Sequence, residues 1–76
     1  MSPGDRVRAL NTIPGLRRVS PGMSAGDILT IRDVETTSTG TWLTFKEHNL
    51  NKYGVYPSYL SLKFEPATYP YLELFL

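Results

Sequence analysis

Gly54-Val55-Tyr56-Pro57-Ser58, together with Gly26-Asp27-Ile28-Leu29-Thr30-Ile31 upstream of it, indicates the fold most directly. In the upstream stretch a turn leads into alternating apolar and polar residues, the pattern of a strand with one buried face. The downstream stretch is a short apolar and aromatic run that ends at Pro57, because proline has no N–H to donate to a sheet. Together they predict an all-β domain built from short strands.

Over the whole chain, the sequence predicts five strands, at residues 5–10, 27–34, 41–46, 54–56 and 61–64. Residues 58–60 are expected to form a single 3₁₀ turn, and residues 11–26 a long irregular loop with turn dipeptides at Pro14-Gly15 and Pro21-Gly22. Because successive side chains of a strand point to opposite faces, one face should form the interior. The predicted interior is Val7, Ala9, Met23, Leu29, Ile31, Leu43, Phe45, Val55, Leu60 and Leu62.

Composition limits the class of protein. The 76 residues suffice for one small domain, and the absence of cysteine leaves it without disulfides or thiolate metal ligands. A net charge of +1 is far from the strongly basic balance of a general nucleic-acid binder. The N-terminus lacks the apolar region of a signal peptide and no run is long enough to span a bilayer, so we expect a cytoplasmic protein without a membrane partner.

Three motifs in order resemble the SH3 family. Ala9-Leu10 is similar to the start of its Ala-Leu-Tyr-Asp-Tyr motif, Trp42 to the first Trp of its Trp-Trp pair, and residues 54–58 to its Gly-Leu-Phe-Pro-Ser. The spacings from Ala9 to Gly26 and from Trp42 to Gly54 fit the family without a gap. The resemblance implies a small five-stranded SH3-like barrel over residues 1–64, followed by an extra C-terminal segment at 65–76. It is closest in kind to the divergent SH3-like domains of bacteria and their phages.

The resemblance implies a non-catalytic protein–protein binding module, such as an adaptor or inhibitor. Asn11 and Ile13 stand where the family has the two tyrosines of its peptide groove, so the usual proline-rich ligand is not expected. The family's acidic loop carries Arg17 and Arg18 instead, which predicts an acidic protein partner. The predicted partner-binding residues are Trp42, Pro57, Tyr59, Arg17, Arg18 and Tyr53.

Trp42 lies on the strand face opposite to Leu43 and Phe45, so its ring should be partly exposed, either as a binding anchor or under a covering tail. Arg17 and Arg18 form either part of a basic docking face or a solvated loop. Tyrosine is frequent in binding surfaces, because its ring is amphipathic and stiff, but it is equally common in β-barrels.

Nothing in the sequence indicates an enzyme. His48 is the only histidine and is expected to be a solvated loop residue, without a second His, a Cys or clustered carboxylates to build a metal site or a nucleophile–base pair. The carboxylates are scattered and no glycine-rich phosphate loop is present. We therefore predict no catalytic residue, no metal and no cofactor.

The C-terminal segment is unusually apolar for a tail and should be buried somewhere. Packing on its own barrel, pairing with a second copy as a homodimer and insertion into another partner are all open. The predicted interface residues are Tyr69, Tyr71, Leu72, Leu74 and Phe75.

Two other functions stay open beside protein binding. Gly4-Asp5-Arg6-Val7-Arg8 is similar to the opening of the KOW and Tudor kinds of SH3-like barrel, which implies nucleic-acid binding. Alternatively, the chain is a structural subunit that docks through its C-terminal segment.

Overall fold

The computed structural model describes residues 1–67 and shows an all-β architecture, as predicted. The strands are β1 (Arg6–Ala9), β2 (Ile28–Thr37), β3 (Gly40–Phe45), β4 (Tyr59–Leu60) and β5 (Phe64–Pro66), with a 3₁₀ turn at Ser61–Lys63. All neighbours are antiparallel, and the five strands form one sheet in the order β4-β3-β2-β1-β5. Within residues 1–67, no helix is long and apolar enough to cross a membrane.

Strand β2 joins the two halves of the sheet. Its beginning pairs with β1, where Leu29 lies opposite Val7, and the rest pairs with β3, where Glu35 lies opposite Trp42. The register shifts between Ile31 and Asp33, an irregularity of the kind that increases the local twist of a strand. The sheet therefore curls, and rings from its two edge strands come together over the interior, with the Tyr59 and Phe64 centroids 6.3 Å apart.

The core forms on the concave face of this curled sheet. Ile31, Leu43 and Phe45 have no exposed side-chain surface, and Phe45 contacts the Phe64 ring at a centroid distance of 5.1 Å. The alternation of β1, β2 and β3 placed most of the interior correctly. The predicted interior residues that are buried are Val7, Ala9, Met23, Leu29, Ile31, Leu43 and Phe45.

In the last third of the chain, the structure differs from the predicted strands. Residues 54–56 form no strand, and Val55 is 58% exposed; the fourth strand lies at Tyr59–Leu60 instead. Tyr59 pairs with buried Leu43 and faces the core, whereas Leu60 pairs with Trp42 on the other face and is only half-buried. A shift of one residue in the strand phase exchanges the two faces, so Tyr59 takes the core position predicted for Leu60.

The 3₁₀ turn and the last strand are also displaced relative to the prediction. The turn occupies Ser61–Lys63 rather than residues 58–60, which leaves Leu62 72% exposed instead of in the core. The last strand is Phe64–Pro66 rather than residues 61–64, and Phe64 lies opposite Ala9 in the interior. Glu65 and Pro66, predicted to begin the C-terminal segment, therefore belong to the sheet.

His48 is buried rather than solvated, with only 8% of its surface exposed. Its imidazole lies edge-on to Phe45, with 5.7 Å between ring centroids, and 5.8 Å from the ring of Tyr59. The prediction failed because the sequence around His48 is polar and the strand that covers it, β4, could be placed only by tertiary pairing.

Candidate binding groove

A groove opens on the outer face of the β2–β3 pair, with a volume of about 280 Å³. Cross-strand pairing sets its floor, because Glu35 lies opposite Trp42 and Asp33 lies opposite Thr44. The segment that precedes β4 completes the lining. The lining residues are Asp33, Glu35, Trp42, Thr44, Val55, Tyr56 and Ser58.

Trp42 is half-buried in this groove, which confirms the prediction that its ring is partly exposed. Its indole N–H donates a hydrogen bond to the Thr39 hydroxyl at 3.0 Å, and the Thr37 hydroxyl lies 2.9 Å from the same oxygen. The hairpin turn between β2 and β3 thus holds the indole in place. An aromatic side chain that is already fixed loses little entropy when a partner covers it.

Tyr56 belongs to a different element of the groove and is also held in place. The Arg32 guanidinium lies over its ring, 4.1 Å from the centroid, a cation–π contact. The next residue, Pro57, is buried and anchors the segment that carries Tyr56. Sequence reasoning missed Arg32 because it lies at the register shift of β2, where alternation no longer tells which way a side chain points.

The groove carries negative charge. Asp33 and Glu35 are both exposed, and neither forms an ion pair within residues 1–67. The apolar surface of Trp42, Val55 and Tyr56 therefore lies beside two carboxylates without ion pairs among residues 1–67, and the Arg32 guanidinium lies over the Tyr56 ring. Sequence reasoning did not assign Asp33 or Glu35 to the site. The turn residues at 38–40 and the alternation of β2 and β3 were the available signal. They place both carboxylates next to Trp42 only when the hairpin register is known.

Of the predicted partner-binding residues, only Trp42 lines this groove. Pro57 is buried and does not line the groove. Tyr59 is 7% exposed and packs on Phe45, which corrects the prediction that it contributes to a binding surface. The reason is again the strand phase, which turns its ring towards Leu43.

Arg17, Arg18 and Tyr53 lie outside the groove lining but near one another. The tip of the long loop meets the loop between β3 and β4, where the Lys52 N–H donates to the Arg18 carbonyl at 3.3 Å. Arg17, Arg18 and Tyr53 are all exposed. The predicted interface residues of the C-terminal segment, Tyr69, Tyr71, Leu72, Leu74 and Phe75, lie outside the described residues.

Glu47 and His48, at the start of the loop between β3 and β4, have pKa values that are shifted by their packing and hydrogen bonds. Burial lowers the pKa of His48, and the nearby Glu47 charge only partly opposes this. Partial burial raises the pKa of Glu47, but hydrogen bonds from Thr30, one of them from its backbone N–H at 2.7 Å, together with a hydrogen bond from the Glu47 backbone and the Arg6 charge, outweigh burial and leave that pKa lowered. Across residues 1–67, no three His, Cys, Asp or Glu side chains come together as metal ligands.

Compared with known proteins, the chain matches no family model, no curated protein and no solved structure.

Proposed function

We propose that this chain is a non-catalytic binding module of SH3-like architecture that holds a segment of a partner protein in the groove beside Trp42. A five-stranded antiparallel sheet is compatible with that architecture. The observation that carries the proposal is the groove itself, which combines a positioned Trp42 and Tyr56 with two carboxylates that have no ion-pair partner within residues 1–67. Positioned aromatic residues are the usual anchors of protein interfaces.

The charge of the groove suggests the chemistry of its ligand. Asp33 and Glu35 favour a Lys or Arg side chain, and the apolar surface next to them favours a large apolar neighbour. The ligand of the groove is then a basic and apolar segment, in contrast to the acidic partner that Arg17 and Arg18 suggested. We further propose a cytoplasmic setting in bacteria or phage-infected cells, which the lack of cysteine and the kind of SH3 resemblance support.

The two alternatives receive less support from the groove. Its two carboxylates would repel the phosphates of a nucleic acid, so this surface argues against nucleic-acid binding there. The structural-subunit alternative depends on the C-terminal segment, which lies outside the described residues, and stays a prediction.

A random peptide library selected against the immobilised full chain tests the proposal. We expect one class of the enriched peptides to share a basic residue next to a large apolar one, and this class to change the fluorescence of Trp42, the only tryptophan. Trp42→Ala should weaken these peptides at least about tenfold, the loss typical of a central aromatic anchor. Asp33→Asn with Glu35→Gln should weaken them and reduce the salt dependence of binding.

Leu62→Ala is the matched control, because Leu62 is an exposed apolar residue of the 3₁₀ turn and lies outside the groove lining. It should leave binding of the selected peptides unchanged. If no peptide is enriched, or if the Trp42→Ala chain selects the same peptides with the same affinity, the groove is not the binding site.

A further inference from the structure

Two loops meet at one end of the sheet and form a surface that the groove does not include. We call it the loop platform and define it by Leu16, Arg17 and Arg18 on the long loop and by Leu50, Lys52 and Tyr53 on the loop between β3 and β4. Two hydrogen bonds join the loops there. The Lys52 N–H donates to the Arg18 carbonyl at 3.3 Å, and the Asn51 side-chain amide donates to the Val19 carbonyl at 3.2 Å.

Asn51 holds the loop platform together. Its side-chain oxygen accepts hydrogen bonds from the backbone N–H groups of Tyr53 at 2.9 Å and Val55 at 3.2 Å, while its own N–H donates to the Val55 carbonyl at 2.9 Å. One half-buried amide therefore fixes its own loop and ties it to the long loop. The platform is a preformed surface rather than two independent loops, which lowers the entropy lost when a partner binds.

The apolar side chains of the loop platform face solvent. Leu16 is 63% exposed, Leu50 54% and Tyr53 67%. Arg18 adds a conformational signal, because its φ of 60° lies in the left-handed region, which residues other than glycine rarely adopt. Arg18 is the central residue of the three-residue turn between the bridged residues Leu16 and Ser20, so this conformation fixes the tip of the long loop. The exposed apolar side chains are not needed by the core, because none of the platform residues belongs to it.

The charge of the loop platform is entirely positive. No acidic residue occurs between Asp5 and Asp27 or between Glu47 and Glu65, so each loop contributes only cations. Arg17, Arg18 and Lys52 therefore stand together without a carboxylate from either loop. The loop platform and the acidic groove thus have opposite charge and suit different ligands.

We propose that the loop platform is a second docking surface, which binds a protein segment that combines carboxylates with large apolar side chains. The proposal goes beyond the groove function and does not depend on it. Charge complementarity selects the carboxylates, and the exposed Leu16, Leu50 and Tyr53 select apolar side chains. A nucleic acid fits less well, because Tyr53 is the only aromatic ring of the platform and the Lys52 ammonium already lies 4.9 Å from its centroid.

Fluorescence polarisation of the full chain with labelled probes tests this assignment. The first probe is a soluble peptide in which pairs of Glu flank single Leu or Phe residues, and the second replaces every Leu and Phe with Ser at the same charge. An oligothymidylate and vesicles of phosphatidylcholine with phosphatidylserine are the other two probes. We expect the Glu/Leu/Phe peptide to bind most tightly and the Glu/Ser peptide at least about tenfold more weakly.

Charge reversal then locates the site. Arg17→Glu with Arg18→Glu should weaken the Glu/Leu/Phe peptide at least about tenfold. The matched control is Lys46→Glu with Lys63→Glu, which makes the same change in net charge at two exposed lysines outside the platform and should leave affinity within about twofold. Because Arg18 has an unusual backbone, Arg17→Glu with Lys52→Glu serves as a second platform variant, and thermal unfolding verifies that each variant is folded.

Several results would overturn the proposal. Equal affinity for the two peptides would show that apolar side chains do not contribute to binding. Equal losses of affinity in the platform and control variants would show that only the net charge of the chain matters. Tighter binding of the oligothymidylate or the vesicles would assign the platform to nucleic acid or membrane instead. Trp42→Ala must leave the Glu/Leu/Phe peptide unaffected, since a loss there would place that peptide in the groove.

Discussion

His48 shows how burial changes the chemistry of a single residue. Its ring packs against Phe45 and Tyr59, and its Nδ1 atom is buried without a hydrogen-bond partner within residues 1–67. A charged imidazole would lose most of its hydration there, which is why burial lowers the pKa of His48. The residue therefore acts as a neutral core group at the base of the loop that carries Tyr53 and Tyr56.

We expect the stability of the protein to fall as the pH is lowered through the range in which free histidine titrates. The unfolded chain takes up the proton near pH 6.5, whereas native His48 does so only at lower pH. Between those two pKa values the unfolded state binds more protons, so the free energy of unfolding rises with pH there and is fully recovered above 6.5. Urea unfolding across this range measures the slope.

His48→Leu is the comparison, because it fills the same apolar site without a titrating group. Its free energy of unfolding should be flat over the range in which the parent chain slopes. Glu47, whose pKa is lowered from 4.5, produces a slope of the same sign only at more acidic pH, so the two groups are distinguishable. An identical slope in the His48→Leu chain would show that another group is responsible.

At the scale of elements, the long loop between β1 and β2 is ordered and consists of two arms that face each other. Ile13 and Met23 exchange two backbone hydrogen bonds, of 2.8 and 2.9 Å, and a further bridge joins Leu16 to Ser20. The two arms come so close because Gly15 and Gly22 face each other. A Cβ on Gly22 would meet the Gly15 backbone and lie 2.6 Å from the Ile13 carbonyl oxygen.

Gly22→Ala should lower the free energy of unfolding by about 2–4 kcal/mol, from backbone strain at a φ of 71° and from steric overlap with the facing arm. Gly54→Ala is the matched control, because its φ is 74° but nothing lies within 4 Å of its added Cβ. It should lose only about 1–2 kcal/mol, the strain alone. Urea denaturation compares the two, and equal losses would show that close approach of the arms is not needed.

At the scale of the whole molecule, the domain has two oppositely charged surfaces, one on the outer face of the β2–β3 pair and one on the two loops of the platform. The groove presents Asp33 and Glu35, and the loop platform presents Arg17, Arg18 and Lys52. The net charge of +1 conceals this separation, because the charges of the two surfaces largely cancel. If both surfaces bind as proposed, the chain would bridge two different protein segments.

We expect the full chain to be a monomer by light scattering across a concentration series. A second cavity of about 270 Å³ adjoins the end of β5, and its lining residues are Met1, Asp5, Arg6, Val7, Pro66 and Ala67. Intramolecular packing avoids the loss of translational freedom that dimerisation entails. A mass that rises with concentration would favour the homodimer, and Leu72→Ser with Phe75→Ser would then restore the monomer.

Local sequence pattern was sufficient to predict the features that repeat along a single strand. Alternation identified β1, β2 and β3 and six of the buried residues, since a strand buried on one face must repeat with a period of two. The same reasoning placed Trp42 on the outer face. The Thr- and Ser-rich stretch after Val34 carried no such pattern, and β2 extends through it to Thr37 because the hairpin with β3 pairs it residue by residue.

Tertiary contacts set the phase of the last strands, which is the choice of side chains that face inward. The composition of the groove lining follows from that choice. In Tyr59-Leu60 either side chain could face inward, and pairing with Leu43 selected Tyr59. The burial of His48 and the meeting of Asp33 and Glu35 with Tyr56 also depend on contacts between residues far apart in sequence. The physical reason is that a slip of one residue reverses the faces of a strand at no local cost, so pairing and packing alone choose between them.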